Sequence, residues 1–180
     1  MAFNLNKKYP ELLEILHFNQ QSRDFSLRRI FDRDIQDNNN FCFKDKLIHP
    51  IKDKDGMPSM DTLFNHLTRT KTEETDQEGK TINRRVEFES DRSIRLHWIK
   101  HHIDEKIVGI DIFSITERDK KKREDVIKTY IYNKPKKYVV VLECQRSKND
   151  YYLLSAYYLN KIYGEKDIQR KMKNKLNDII

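Results

Sequence analysis

The chain has 180 residues, 37% hydrophobic and 36% charged, with 36 Lys and Arg against 29 Asp and Glu, a net charge of +7 and a pI near 9.2. That length suits one compact domain with at most an extra lobe, and no run of about 18 apolar residues occurs, so a membrane-spanning helix is not expected. The positive charge favours anionic partners, nucleic acid first among them, although interspersed acids and bases also serve solubility alone.

In the N-terminal MAFNLNKKYPELLEILHF, Glu11, Glu14 and His17 interrupt the apolar run, so no signal segment is expected. Residues 10 to 18, PELLEILHF, and 24 to 35, DFSLRRIFDRDI, predict two short amphipathic helices, the first with Pro10 at its starting position. The pattern breaks at 37 to 40. KDKDGMPSM, with Gly56 and Pro58, predicts a loop, after which Ser59 or Asp61 caps a helix through TLFNHLT. Residues 71 to 85 are polar and mixed in charge and predict an exposed loop. Ser90 or Asp91 then caps a helix over residues 91 to 103.

Beyond that helix the periodicity changes. IVGIDIFSI, VIKTYIY, KYVVVLECQ and YYLLSAYY are rich in β-branched and aromatic residues, and their connections have no helical period. They predict four strands in an antiparallel meander, with ERDKKKRED and RSKND as solvated turns. KDIQRKMKNKLNDII predicts a basic amphipathic helix carrying Ile168, Met172 and Leu176 at four-residue spacing. The expected fold is α+β: N-terminal helices, then a four-stranded antiparallel sheet and a C-terminal helix. Residues 1 to 50 are expected as an N-terminal helical extension, either separate or part of the same domain, and 51 to 180 as the main domain.

On a helix over 91 to 103, Leu96, Ile99 and Ile103 form one stripe with Arg92 inside it and Arg95 at its edge. Two partly buried guanidinium groups need an anion, either an internal carboxylate such as Glu143 or a bound phosphate. His97 and His101 fall on the other side, and without the Glu of an HExxH motif they predict a solvated face rather than a metal site. His66 sits beside the apolar face of Leu63, Phe64 and Leu67, where it is either a packing residue or a general acid or base. Strict alternation places Tyr151, Leu153, Ser155 and Tyr157 on one strand face, and Lys128, Tyr130 and Tyr132 together on another. A cation and phenols so placed suit single-stranded nucleic acid or a merely soluble sheet. Cys42 and Cys144 are too few for a disulfide framework or a CxxC zinc site, so a reducing, cytoplasmic setting is expected.

Taken in order, MPSMDTLFNHLTRT, FESDRSIRLHWIKHHIDE, KTYIYNKPKKYVVVLE and YYLLSAYYL resemble the phage Barnase/EndoU/colicin/RelE-like (BECR-fold) nuclease family of phage and mobile elements. The family's final strand usually reads Thr-Ala-Tyr where this chain has Ser155, Ala156 and Tyr157. The resemblance implies a BECR-like core that cuts RNA without metal or other cofactor. By position it implies a site drawn from His66, Arg92, Arg95, Ser155 and Tyr157, with Lys128 and Tyr130 binding substrate. The implied reaction is attack of a ribose 2′-hydroxyl on the adjacent phosphate, with His66 as base or acid, the arginines on the phosphorane oxygens, and Ser155 and Tyr157 orienting the phosphate. The implied partners are RNA, single-stranded or tRNA-like, and an immunity or antitoxin protein, with no membrane. The competing readings are an RNA-binding module without turnover and a toxin-like protein-interaction domain.

Overall fold

The computed structural model describes residues 2–51, 58–75, 81–84, 86–119, 123–147 and 149–180. In chain order its elements are α1 (Gln20–Phe31), β1 (Cys42–Phe43), β2 (Lys46–Pro50), α2 (Ser59–Thr68), β3 (Thr72–Thr75), β4 (Thr81–Arg84), α3 (Ser90–Ser93), α4 (Trp98–Ile103), β5 (Asp111–Asp119), β6 (Glu124–Asn133), β7 (Tyr138–Cys144), β8 (Tyr151–Tyr158) and α5 (Ile162–Lys173). A 3₁₀ turn covers Ala2–Asn6, and a π turn, Asp32–Gln36, extends α1. The chain divides into two compact units, Met1–Asn38 with Lys52–Trp98, and Asn39–Ile51 with Ile99–Ile180.

In the first unit, PELLEILHF is not a helix. Leu13 and Ile15 are buried while Leu12 and Leu16 are exposed, so burial there alternates as in an extended segment. Asn4 fixes this segment by accepting the Glu14 N–H at 2.9 Å and donating to the Glu14 carbonyl at 3.3 Å, and Leu13 N–H donates to Ile94 at 2.9 Å. Helix α1 starts where Asn19 Oδ1 accepts the Ser22 N–H at 2.8 Å, and it buries Leu27, Ile30 and Phe31. Helix α2 buries Leu63, Phe64 and Leu67 as its spacing predicts. Pro58 holds its N-cap position, and Asp61 instead pairs with Arg28.

The expected loop over 71 to 85 contains an antiparallel pair, β3 with β4; residues 76–80 and 85 lie outside the described residues, as does most of the expected loop before α2. The single helix expected over 91 to 103 is interrupted by a turn between α3 and α4. Its start is capped by Glu89, whose Oε2 accepts the Arg92 N–H at 2.8 Å, rather than by Ser90 or Asp91.

The second unit holds a six-stranded sheet in the order β1-β2-β8-β7-β6-β5. β5 to β8 form the expected antiparallel meander, but β2 adds to β8 in parallel and carries β1 on its outer edge. The sheet is therefore mixed and six-stranded, and the expectation of a four-stranded antiparallel sheet is overturned. Asp150 secures the parallel junction: its Oδ1 accepts the Leu47 N–H at 3.1 Å, and its Oδ2 lies 3.1 Å from His49 Nε2.

The C-terminal helix starts earlier than expected and stops at Lys173. The tail then runs along the edge strand, where Leu176 N–H donates to the Ser114 carbonyl at 2.8 Å. Ile180 closes a ring of hydrogen bonds: its N–H donates to Ser114 Oγ at 3.0 Å, Ser114 bonds Thr129 Oγ1 at 2.8 Å, and Thr129 donates to the Ile180 carbonyl at 2.9 Å. Buried hydroxyls thereby satisfy the main-chain groups of Ile180, and the Leu176 bond occupies one carbonyl of the edge strand β5. Neither Cys42 nor Cys144 is in a disulfide. Among the described residues no helix is long and apolar enough to cross a membrane.

Candidate functional site

Arg92 and Arg95 are both largely buried, with side chains only 20% and 11% exposed, although Arg95 lies in the turn between α3 and α4 and not on the continuous helix expected. Arg92 Nη1 donates to the His66 carbonyl at 2.6 Å, and its Nε lies 3.6 Å from Glu89. Arg95 Nη1 donates to the Asp91 carbonyl at 2.6 Å, lies 3.7 Å from the Asp91 carboxylate, and stacks its guanidinium 5.5 Å from the Trp98 ring. His66 is half-buried on α2 and joined to Arg92 through its main chain. His97 is buried rather than solvated, and His101 is half-buried.

Other arginines of this unit are used in the same way. Arg23 donates to the Phe18 carbonyl at 2.8 Å and lies over the Phe88 ring at 4.0 Å. Arg69 bridges Asp24 at 2.9 Å and the Val86 carbonyl at 3.0 Å. A planar guanidinium with five donors suits such cross-bracing of short helices and extended segments. Arg92 and Arg95 thus have a structural task within the first unit, carried by carbonyls and by Glu89 and Asp91.

In the second unit, the ladder decides which residues share a face. Phe113, Tyr130, Val141 and Ser155 stand opposite one another across β5 to β8, and Tyr132, Val139 and Tyr157 form the next row. A register shift between Val141 and Leu142 places an extra residue in β8, since Leu153 pairs with Leu142 and Ser155 with Val141. Strict alternation therefore fails: Ser155 and Tyr157 stay together beside Tyr130, while Tyr151 and Leu153 belong to the opposite face. Lys128, Tyr130 and Tyr132 share a face as expected. Glu143 pairs across the ladder with Lys128 and Tyr152.

This face carries a compact charged cluster. Lys128 Nζ lies 2.7 Å from Glu117 Oε2, Tyr130 Oη donates to Glu117 Oε1 at 3.2 Å, and Lys171 from α5 pairs with Glu117 and lies 3.0 Å from Tyr130 Oη. Burial works to raise the Glu117 pKa, but hydrogen bonds from Lys128 and Lys171, with their charges, hold it below the ordinary carboxylate range. Burial pushes the Tyr130 phenol far above its ordinary value, helped by the Glu117 charge and hydrogen bond. Burial does the same to Tyr157, with Tyr130, Asp167 and Glu117 adding to it and Lys171 opposing. The cluster thus holds an ionised carboxylate, two ammonium groups and phenols that keep their protons.

Beside it, a groove of about 480 Å³ runs between β8 and α5, lined by Tyr157, Leu159, Tyr163, Lys166, Asp167 and Arg170 among others. Glu117 and Lys171 are the members that the sequence reading missed. Glu117 opens the run expected as a solvated turn, but β5 continues through it to Asp119; the period-two run Phe113, Ile115, Glu117 carries the signal. Lys171 follows Ile168 by three residues, on the α5 face that packs on the sheet. Among the described residues no three His, Cys, Asp or Glu side chains gather as a metal site.

No protein-family model, no curated protein and no solved structure matches this chain.

Proposed function

We propose that the chain binds single-stranded RNA and cleaves it without a metal cofactor, the second unit's sheet face carrying the chemistry. The observation behind this is the Glu117, Lys128, Tyr130 and Lys171 cluster beside Tyr157 and a cation-lined groove. RNA supplies its own nucleophile, so the protein has to move two protons and stabilise added negative charge.

The 2′-oxygen attacks phosphorus and loses its proton to the Glu117 carboxylate. The P–O5′ bond breaks, and the departing oxygen takes a proton from a phenol, Tyr157 being less buried than Tyr130. Lys128 and Lys171 hold the phosphorane oxygens, and Ser155 orients the phosphate. The products are a 2′,3′-cyclic phosphate and a 5′-hydroxyl. His66 is the competing proton carrier. Its main-chain bond with Arg92 gives that pair a structural explanation of its own.

One observation favours a binding module without turnover: Glu117 already neutralises both lysines. A single experiment separates the readings. Labelled single-stranded RNA is incubated with the protein in EDTA, and product ends are read by mass spectrometry. Cyclic-phosphate ends that vanish when the attacked ribose is 2′-deoxy support cleavage. Intact RNA that is nevertheless bound in a salt-sensitive manner supports the module, and intact, unbound RNA rejects both.

A further inference from the structure

We propose that the groove between β8 and α5 is a base-binding subsite, in which one unstacked nucleobase of the RNA lies on the Tyr163 ring and its flanking phosphates meet Lys166 and Arg170. The inference rests on the RNA-binding reading and specifies where the strand is held.

Tyr163 is 65% exposed and stands in the first turn of α5, where its ring contributes little to the core but forms one wall of the groove. The other aromatic wall is Tyr157, which connects the groove to the Glu117 cluster. Every base has a π-face, so an exposed ring beside a cationic track is the arrangement by which proteins hold single strands without reading sequence. The cations are present: Lys166 and Arg170 line the groove, and Lys161 lies 5.7 Å from the Tyr163 ring centre. Asp167 accepts from Arg170 Nη2 at 2.5 Å and so orients that guanidinium.

The helix start is set close to the strand. A Cβ on Gly164 would come within 3.1 Å of Leu159 Cδ2, so glycine lets α5 sit low against Leu159 beside the ring. The groove volume, about 480 Å³, lies within the range of small-molecule sites, roughly 300–1,000 Å³, and so leaves room for a single nucleobase. An acidic peptide would find the cations but leave the aromatic wall unused.

The test measures binding separately from cleavage, with a fluorescein-labelled octanucleotide carrying 2′-fluoro at every sugar, which cannot cleave itself. By fluorescence anisotropy at low salt, Tyr163→Ala weakens binding roughly 5- to 150-fold and Tyr163→Phe leaves it within about twofold, as stacking requires. Arg170→Ala and Lys166→Ala each reduce the slope of log affinity against log salt by roughly one phosphate contact. Tyr163 is exposed, and circular dichroism confirms that its variants fold. Unchanged binding by Tyr163→Ala, with the wild-type protein binding tightly, overturns the subsite alone. Loss with Tyr163→Ala while natural RNA stays uncut supports the subsite and rejects the cleavage reading. Failure of the wild-type protein to bind the analogue at all overturns both.

Discussion

Lys128 and Glu117 are diagonal neighbours on adjacent antiparallel strands, with Nζ 2.7 Å from Oε2 and both side chains less than a quarter exposed. Diagonal pairs reach one another only when both side chains are long, and here the span leaves Glu117 Oε1 for Lys171 and Tyr130. One carboxylate on β5 thus organises donors from a single neighbouring strand, β6, and from a helix.

The first prediction concerns acid stability. The folded pKa of Glu117 is lowered, so its contribution is full above the unfolded carboxylate pKa of about 4.5 and is lost as pH falls through the folded value. Glu117→Gln therefore destabilises the protein at pH 7, and its denaturation midpoint converges with that of wild type as pH falls below the lowered folded pKa. Urea unfolding across that range measures it, and a constant offset at all pH values contradicts the assignment.

Alkaline stability follows from the buried phenols. Burial pushes Tyr151 up to about 12, with the nearby Cys144 adding to this and a bond with Thr129 opposing it. Between the unfolded value of 10.0 and the folded one, the unfolded chain releases a proton that the native state retains, so stability falls as pH rises. Tyr151→Phe makes unfolding less steeply pH-dependent above pH 10, which tyrosinate absorbance at equilibrium follows.

Arg92→Ala removes a charge-assisted bond to the His66 carbonyl and leaves that oxygen without its arginine donor. The expected loss is about 1.5–3 kcal/mol in denaturant unfolding. Arg92→Lys restores only part of it, because an ammonium cannot span both Glu89 and the carbonyl with a planar fork.

For catalysis, Lys171→Met lowers single-turnover cleavage by about 10²-fold or more, whereas His66→Ala changes it by less than about threefold. Rapid-quench assays in EDTA compare the two. The reverse ranking moves the proton transfers to the first unit.

How much was legible in the chain depends on how local each signal was. Val139 to Leu142 and the alternation from Val126 to Tyr132 read directly as strands, because a buried strand declares itself within a few residues. Lys46 to Pro50 did not. Its partner is β8, far along the chain, and five residues ending in proline carry no sign of a parallel neighbour. The segment Pro10 to Phe18 holds apolar residues at spacings that satisfy a helix on paper. The two that are buried, Leu13 and Ile15, are two apart, and tertiary bonds from Asn4 decided the matter. For the candidate site, period two made Lys128 with Tyr130, and Ser155 with Tyr157, legible as two separate pairs; the step in β8 that sets the second pair beside the first was not, and Lys171 was hidden because only packing shows which helix residue meets a sheet.

The irregular step in β8 has one more implication. Had β8 zipped along β7 residue for residue beyond Leu153, Ala156 would stand opposite Val139, and Ser155 and Tyr157 would turn to the far side. That alternative ladder has much the same main-chain bonding yet brings Leu154 and Ala156 to the rows of Tyr130 and Tyr132 in place of hydroxyls. The chemistry open to this surface thus hangs on a single out-of-step residue, and a shortened or lengthened β8 would be a well-formed strand with nothing to say to a phosphate.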